Sequence, residues 1–295
     1  MSIARNQHWV PRFYLNGFCT APNSGSIHIA DVKAAYAHES AIEDKRKITK
    51  VAASYDLYNF NDANDQLDGS VDHYLGDIER AVVTYWKDMI ETGQVPDMRP
   101  GTAARKNIAL FMAAQHMRTP HMIAVAKYSA QNASALPDIN TQGGRDLFYA
   151  QLKTIPVDLS ATDEGMDDRI EFRDALITYT NLVAQLIEDT LYWTAHVYPK
   201  RELITSDTPI SVLRYPSMEP GALVDRDCIV FFPMTAKILL ICTGRPRDTP
   251  DGLVTSQLPL QSSQLNPFIA HFSTQEAYSP VSFEGFKFLR DPPVD

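Results

Sequence analysis

The feature that most constrains the fold is a change of hydrophobic period along the chain. Three stretches between residues 71 and 189 repeat their apolar residues every three or four positions, which is typical of amphipathic helices. From residue 192 onward the apolar residues alternate or form short blocks, as strands do. Alternating segments also precede the helices. The sequence therefore predicts an α+β fold, in which an antiparallel or mixed sheet from N- and C-terminal strands packs on a central helical layer.

Turn and capping residues divide these patterns into elements. We predict helices over 11–16 (with Gly17 as a left-handed cap), 71–91, 102–118, 170–189 and 262–272. Strands are predicted over 26–32, 55–60, 192–198, 203–207, 228–232, 237–242 and 277–283, the middle four forming two hairpins. The charged residues 39–50 are predicted to be a solvated loop or helix, and 130–168 an insertion that contains a helix over 144–153.

We expect a single domain over residues 1–295. Its N-terminal motif and strands lie in 1–60, the helical layer in 70–190, and the hairpins and C-terminal helix in 191–295.

Composition excludes several classes of protein. No apolar run reaches the roughly 18 residues that cross a bilayer, and the first residues lack a signal-peptide core. Three distant cysteines without CxxC spacing suit a reducing compartment, so a cytoplasmic protein without a membrane partner is expected. The net charge of −9 disfavours free nucleic acid as a partner, although a local basic pocket can override it. The sequence indicates neither a cofactor nor an oligomeric state.

Three polar residues lie on predicted apolar helix faces. Glu79 falls on the stripe of the first long helix, and Gln115 and Arg118 follow Phe111 on the inner face of the second. An isolated buried charge is costly, so Glu79 and Arg118 must pair with each other or with a ligand. They form either a structural ion pair or the walls of a polar pocket.

Further candidates lie near strand ends and at the N-terminus. Asp207 follows an apolar strand and precedes Thr-Pro, where a short acid either caps a turn or serves a site. His8 is either a packed histidine or an acid/base, and Arg12 follows it one helical turn later. The aromatic residues around them, Trp9, Phe13, Tyr14 and Phe18, are typical of a core, the alternative being a base-stacking platform.

Known catalytic motifs are absent from the sequence. It contains no HExxH, Walker glycine-rich loop, GxSxG or kinase set. His116 and His121 are five residues apart and do not share a helix face, so no metal site is predicted from them.

Several blocks, taken together, resemble a known family. They are Gln7-His8-Trp9-Val10-Pro11-Arg12-Phe13-Tyr14-Leu15 with Phe18, Val51-Ala52-Ala53, Asp56-Leu57-Tyr58, Glu79, Phe111 to Pro120, Trp193, Ile204 to Ile210, Phe232-Pro233-Met234 and Leu265-Asn266. In this order they resemble the bacterial and fungal domain-of-unknown-function 4238 family. Trp9 stands where a Tyr is usual, Thr208 where an Asn is common, and Pro267 directly after Asn266 is unusual.

The resemblance implies no activity, but it adds residues to the set of candidate binding residues. Its motifs contain the residues already singled out, and they add Tyr14, Ser206 and Asn266 to the candidate binding residues Arg12, Glu79 and Gln115. The candidate catalytic residues are His8, Arg118 and Asp207, which we expect to meet at the mouth of one pocket.

Three functions remain open. The first is a phosphate-ester hydrolase or transferase, nuclease-like in chemistry. In it Arg118 and Arg12 hold the anion, His8 transfers a proton, and Asp207 or Glu79 orients His8 or holds a divalent cation. The second is a non-catalytic module that binds a small anionic or nucleotide ligand. The third is a structural or interaction protein in which these residues form a buried network.

Overall fold

Helices occupy the middle of the chain, as the periodicity predicts. A computed structural model describes residues 6–38, 42–55, 57–58, 60–61, 67–119, 122–123, 141, 143, 169–214, 217, 219–220, 223, 227–244, 250–257 and 260–289. Its helices are α1 Arg12–Asn16, α2 Val32–His38, α3 Ser70–Thr92, α4 Ala103–Met117, α5 Arg169–Thr190 and α6 Ser262–His271, with a 3₁₀ turn at Ile48–Lys50. The predicted long helices are confirmed, whereas α2 was not predicted.

The strands form two larger sheets and two short pairs. They are β1 Asn6–His8, β2 Ser26–Asp31, β3 Ile42–Lys47, β4 Ala53–Tyr55, β5 Phe60–Asn61, β6 Leu67–Asp68, β7 Tyr192–Val197, β8 Thr205–Ser206, β9 Ser211–Arg214, β10 Glu219–Pro220, β11 Cys228–Thr235, β12 Ile238–Thr243, β13 Leu253–Thr255 and β14 Glu276–Ser279. The six-stranded sheet has the order β10-β9-β11-β12-β7-β13, and the four-stranded sheet the order β3-β2-β14-β8. The fold is α+β, as predicted, and strands from both ends of the chain share the four-stranded sheet.

The central hairpin of the six-stranded sheet is buried on both faces. On β11, Val230 and Phe232 pack into the core beneath α3, α4 and α5, while Ile229 and Phe231 face a second core that contains α6. Every residue of β11 and β12 is buried. A strand covered on both sides has no solvent face, which explains why these two strands are continuous apolar runs.

The N-terminal segment is fixed into the larger core. The ring of Tyr14 stacks on Phe232 with centroids 5.7 Å apart, and its hydroxyl donates to the Pro233 carbonyl oxygen at 2.6 Å. Trp86 of α3 donates from Nε1 to the Met234 carbonyl oxygen at 2.9 Å. These contacts confirm that the segment from His8 to Phe18 packs against the C-terminal hairpin.

Arg105 joins three parts of the chain in the core. Its guanidinium donates to Asp251 Oδ1 at 2.7 Å and to the carbonyl oxygens of Met98, Glu188 and Leu191. It also lies 4.6 Å above the ring of Trp193. Because the side chain is only 2% exposed, this buried cation depends on those partners.

Three predictions that concern strands were wrong, the first being that residues 39–50 form a solvated loop or helix. Residues 42–47 form β3, an edge strand, and the exposed side chains of its charged residues suit an edge position. The predicted strand 55–60 is replaced by β4 and β5, because β4 pairs with β1. The predicted hairpin of 192–198 with 203–207 does not form. The backbone N–H groups of Glu202 and Leu203 bond to Ala236, and β8 then pairs with β14.

Gly17 is also not a left-handed cap, since its φ is −63°. A Cβ at this position would lie 3.2 Å from the Tyr14 carbonyl oxygen and 3.4 Å from Thr235. Close packing against β11 therefore favours glycine here. Pro267 lies inside α6 rather than at its boundary. Most of the predicted insertion at 130–168, including the whole of the predicted helix 144–153, lies outside the described residues.

Candidate functional site

His8 is held by the segment that follows the 3₁₀ turn. Strand β1 pairs antiparallel with β4, with His8 opposite Ala53, and His8 Nδ1 lies 3.0 Å from the Val51 carbonyl oxygen. Ala52 has a φ of 47°, a left-handed conformation that is costly for a residue with a Cβ. Its carbonyl oxygen accepts from the Trp9 N–H at 3.0 Å. The strained conformation of Ala52 thus places two successive carbonyl oxygens, those of Val51 and Ala52, where they bind His8 and Trp9.

The environment of His8 favours the neutral imidazole. Burial lowers its pKa below 6.5, and the positive charge of Arg12 lowers it further, against the Val51 bond and the charge of Glu79. A carbonyl oxygen can only accept, so Nδ1 carries the proton of the neutral ring. The other nitrogen, Nε2, is then the atom that can take up a proton.

Glu79 of α3 and Arg118 at the end of α4 form the predicted ion pair. Arg118 Nη2 donates to Glu79 Oε1 at 2.7 Å. The Arg118 side chain is 2% exposed and that of Glu79 is 32% exposed. The pair therefore has a deep cationic end and an outer anionic end.

A second carboxylate and two further polar residues lie beside this ion pair. Asp72 is seven residues before Glu79 on α3, which places both on one helix face. Burial raises the pKa of Asp72, and the charge of Glu79 raises it further while that of Arg118 lowers it. The Gln7 side chain bonds to Asp72, and its Oε1 accepts from the backbone N–H of Tyr58 at 2.6 Å.

Several buried polar atoms at this position have no hydrogen-bond partner among the described residues. They are Oε1 and Nε2 of Gln115, Nε and Nη1 of Arg118, and the hydroxyl of Tyr58. Gln115 is 1% exposed and lies three residues before Arg118, so the two share one side of the helix. Buried polar groups in native proteins are nearly always paired. We call Gln7, His8, Tyr58, Asp72, Glu79, Gln115 and Arg118 the Arg118 cluster.

The unpaired atoms are mainly donors. Arg118 and the Gln115 Nε2 amide can only donate, and the Tyr58 hydroxyl can donate, whereas Gln115 Oε1 is the one atom among them that can only accept. A group that satisfies them must therefore be rich in acceptors. Phosphate, sulfate and carboxylate oxygens have this property.

Asp207 lies in a different environment. Its Oδ1 accepts from the Thr274 N–H at 2.9 Å, and its own N–H donates to the Glu276 carbonyl oxygen at 3.0 Å. Burial raises its pKa to about 6, against the hydrogen bonds that its carboxylate receives from the backbone of Thr274, Glu276 and Gln275. Among the described contacts, none joins Asp207 to His8 or Arg118. Asp207 thus anchors the turn between α6 and β14.

Ser206 and Asn266 also bind backbone. Ser206 Oγ donates to the Thr208 carbonyl oxygen at 2.8 Å and accepts from the Thr208 N–H at 3.1 Å. Asn266 Nδ2 donates to the Glu202 carbonyl oxygen at 2.7 Å, and its Oδ1 accepts from the Ile204 N–H at 3.3 Å. With these bonds the two side chains hold the segment around β8 in place.

The remaining two candidates, Tyr14 and Arg12, lie on opposite sides of α1. Tyr14 is fully buried, and its hydroxyl also lies 2.7 Å from Thr205 Oγ1. Arg12 is exposed and lines a surface groove. The described contacts therefore bring His8, Glu79 and Arg118 into one neighbourhood, with Gln115 beside them and Arg12 at its edge.

Sequence reasoning missed three members of the cluster. Asp72 could have been found from its spacing of seven residues to Glu79, since such a pair shares a helix face. Gln7 and Tyr58 lie in the blocks that resemble the family, but Gln7 belongs to no predicted element and Tyr58 was one aromatic residue of the predicted strand 55–60, so neither was named as a candidate.

Two kinds of feature are absent from the described residues. None of the helices described is long and apolar enough to cross a membrane. The same residues contain no group of three or more His, Cys, Asp or Glu side chains placed to hold a metal ion.

Comparison with protein-family models matches residues 6–280 to a family described as a protein of unknown function, DUF4238. No curated protein and no solved structure matches the chain.

Proposed function

Because the chain belongs to the DUF4238 family, whose description assigns no activity, we propose from the site itself that the Arg118 cluster binds a phosphate ester and hydrolyses or transfers its phosphoryl group. The observation that carries the proposal is the surplus of buried donors on Arg118, Gln115 and Tyr58. Leaving such donors unpaired costs free energy in the folded protein. A bound phosphoryl group would supply the missing acceptors.

Arg118 is the principal binding group in this proposal. A guanidinium stays charged and offers several N–H donors, and only one of its nitrogens is engaged by Glu79. The ion pair holds the guanidinium in place without using its remaining donors. As negative charge develops on the phosphoryl oxygens in the transition state, fixed donors of this kind stabilise it.

His8 is the proton-transfer group. In the reaction, Nε2 of His8 accepts the proton of a water molecule, or of an acceptor hydroxyl, while that oxygen forms a bond to phosphorus. The bond from phosphorus to the ester oxygen breaks, and this oxygen leaves with the bonding electron pair and takes a proton from solvent. The Val51 carbonyl oxygen orients the ring, a role that our sequence hypothesis had given to Asp207 or Glu79.

A second candidate function is a non-catalytic module that binds the same kind of anion or a nucleotide. The observation that favours it is that the described contacts join His8 to a backbone carbonyl and not to a carboxylate. Binding needs the donors of Arg118 and Gln115 but makes no use of the histidine Nε2.

Calorimetric titration of the purified protein with inorganic phosphate tests the site. We expect wild-type protein to bind phosphate and Arg118→Lys to weaken binding by about tenfold or more, because a lysine cannot reproduce the planar donor set. The matched control is Arg80→Lys, since Arg80 is an exposed arginine of α3 that bonds to Asp77. Failure of the wild-type protein to bind phosphate would overturn the proposal.

Turnover separates the two functions. We expect His8→Gln to retain phosphate binding within about threefold and to lose hydrolysis of simple phosphate mono- and diesters by about a hundredfold, a normal loss for an acid/base residue. Phosphate binding without turnover in the wild-type protein selects the binding module instead.

A further inference from the structure

A groove of about 500 Å³ opens beside the N-terminal helix. Residues on its walls include Arg12, Phe13 and Asn16 of the α1 region and Lys47, Ile48 and Thr49 at the end of β3 and in the 3₁₀ turn. Both Arg12 and Lys47 are exposed. The groove therefore places two cationic side chains on facing segments that are about thirty-five residues apart in the chain (47 − 12 = 35).

The described residues contain no ion-pair partner for either cation. The arginine next to Lys47, Arg46, bonds to both Asp44 and Glu276, whereas no described carboxylate lies within salt-bridge distance of Arg12 or Lys47. This is notable in a chain with 36 acidic and 27 basic residues. Two cations without counter-charges along one groove create a local positive potential despite the negative total charge.

The groove and the Arg118 cluster share a wall. The turn Ile48–Lys50 contributes Ile48 and Thr49 to the groove, and the next residue, Val51, binds His8 through its carbonyl oxygen. The charge of Arg12, which lines the groove, acts on His8, and so does the charge of Glu79, the partner of Arg118. His8 is thus within range of charges from both the groove and the cluster.

We propose that this groove is a second anion subsite, in which Arg12 and Lys47 hold another phosphate of the same substrate while its reacting phosphate lies at Arg118. The inference rests on the proposed function and narrows its substrate to the phosphodiester class. Successive phosphates of a phosphodiester chain are separated by several bonds and can occupy two neighbouring sites. The two phosphates of a pyrophosphate share a bridging oxygen, so a substrate whose phosphates are separated by a sugar suits two separate cation sites better.

The test compares two nucleotides that differ in one phosphate. Thymidine 5′-monophosphate and thymidine 3′,5′-bisphosphate are titrated into wild-type protein, Lys47→Gln and Lys50→Gln by calorimetry. Lys50 is the matched control, because it is an exposed lysine of the same turn that does not line the groove. We expect Lys47→Gln to weaken the bisphosphate by about fivefold, a typical loss for one exposed charge. The monophosphate should bind unchanged, and Lys50→Gln should affect neither nucleotide.

The outcomes distinguish this inference from the function on which it rests. If inorganic phosphate binds but Lys47→Gln weakens both nucleotides equally, or neither, the groove is not a subsite and the Arg118 site stands. If wild-type protein binds neither inorganic phosphate nor either nucleotide, both proposals are overturned. A selective loss of bisphosphate affinity in Arg12→Gln as well would support the assignment of both cations.

Discussion

Replacing Gln115 by methionine tests whether the interior of the Arg118 cluster is built for a ligand. Gln115 is almost completely buried, and neither atom of its amide has a partner among the described residues. Methionine has the same unbranched shape and similar length but no strong donor or acceptor. If the amide serves only a ligand, removing it should make the empty protein more stable and its binding weaker.

The size of the effect follows from the cost of unpaired groups. A buried donor or acceptor without a partner costs about 1 to 3 kcal/mol. Because the amide of Gln115 leaves both a donor and an acceptor unpaired, Gln115→Met should raise the free energy of unfolding by about 2 kcal/mol. In a chain of 295 residues that corresponds to a rise in Tm of roughly 3 °C.

Gln7→Met is the matched control, because Gln7 is equally buried but bonded. Its Oε1 accepts from the Tyr58 N–H, and its side chain bonds to Asp72. Gln7→Met leaves the backbone N–H of Tyr58 without an acceptor. This substitution should therefore lower the free energy of unfolding by about 1 to 3 kcal/mol. The two glutamine variants should therefore shift stability in opposite directions.

Urea unfolding and phosphate titration of both variants provide the measurements. A loss of stability in Gln115→Met comparable to that in Gln7→Met would show that the Gln115 amide is satisfied in the folded protein, which would refute the reasoning from unpaired donors. A gain in stability with unchanged phosphate affinity would exclude Gln115 as a ligand contact.

Two further predictions concern buried charges outside the cluster. Burial raises the pKa of Asp207 from 3.8 to about 6, so the folded state holds this proton more tightly than the unfolded state does. Stability from this group is complete below about pH 4 and is lost as the pH rises through about 6, by about 3 kcal/mol in total. Urea unfolding across this range should show a slope that is reduced in Asp207→Asn. Arg105→Met should lower the free energy of unfolding by about 3 to 5 kcal/mol because it leaves Asp251 without its cationic partner and buried carbonyl oxygens without their donor. Thermal unfolding should show Arg99→Gln, an exposed control, within about 0.5 kcal/mol of wild type.

The local hydrophobic pattern correctly predicted those elements whose burial keeps the same pattern along their whole length. The α3 helix keeps one face in the core over its whole length, and Gly93, with φ of 73°, ends it as a glycine should. The hairpin of β11 and β12 was predicted because both strands are apolar throughout. Strand β3 was missed, since an edge strand with exposed charges has no apolar pattern. Strand β8 was placed in the wrong hairpin because its partner β14 lies some seventy residues later in the chain (277 − 206 = 71).

For the candidate site, too, the sequence does not show which distant segments supply the partners of a residue. A polar residue among apolar neighbours indicated Glu79, Arg118 and Asp207 alike. Among the described residues, Arg118 retains donors without a partner, whereas Asp207 is bonded to backbone N–H and carbonyl groups of a distant segment. The sequence shows that such a residue needs partners. Only the tertiary structure shows whether the protein provides them.

The order of strands in the four-stranded sheet has a consequence for biosynthesis. Strand β14 lies between β2 and β8, and Ala30 of β2 pairs with Ala277 of β14, so 247 residues separate the two (277 − 30 = 247). At about 5 to 20 residues per second, a ribosome needs on the order of 12 to 50 seconds to make β14 after β2. Throughout that time the nascent chain has only β3 to cover one edge of β2. The charged residues of β3 oppose pairing of other chains with the outer edge of β3, so the open edge of β2 during this time is the one that β14 later occupies.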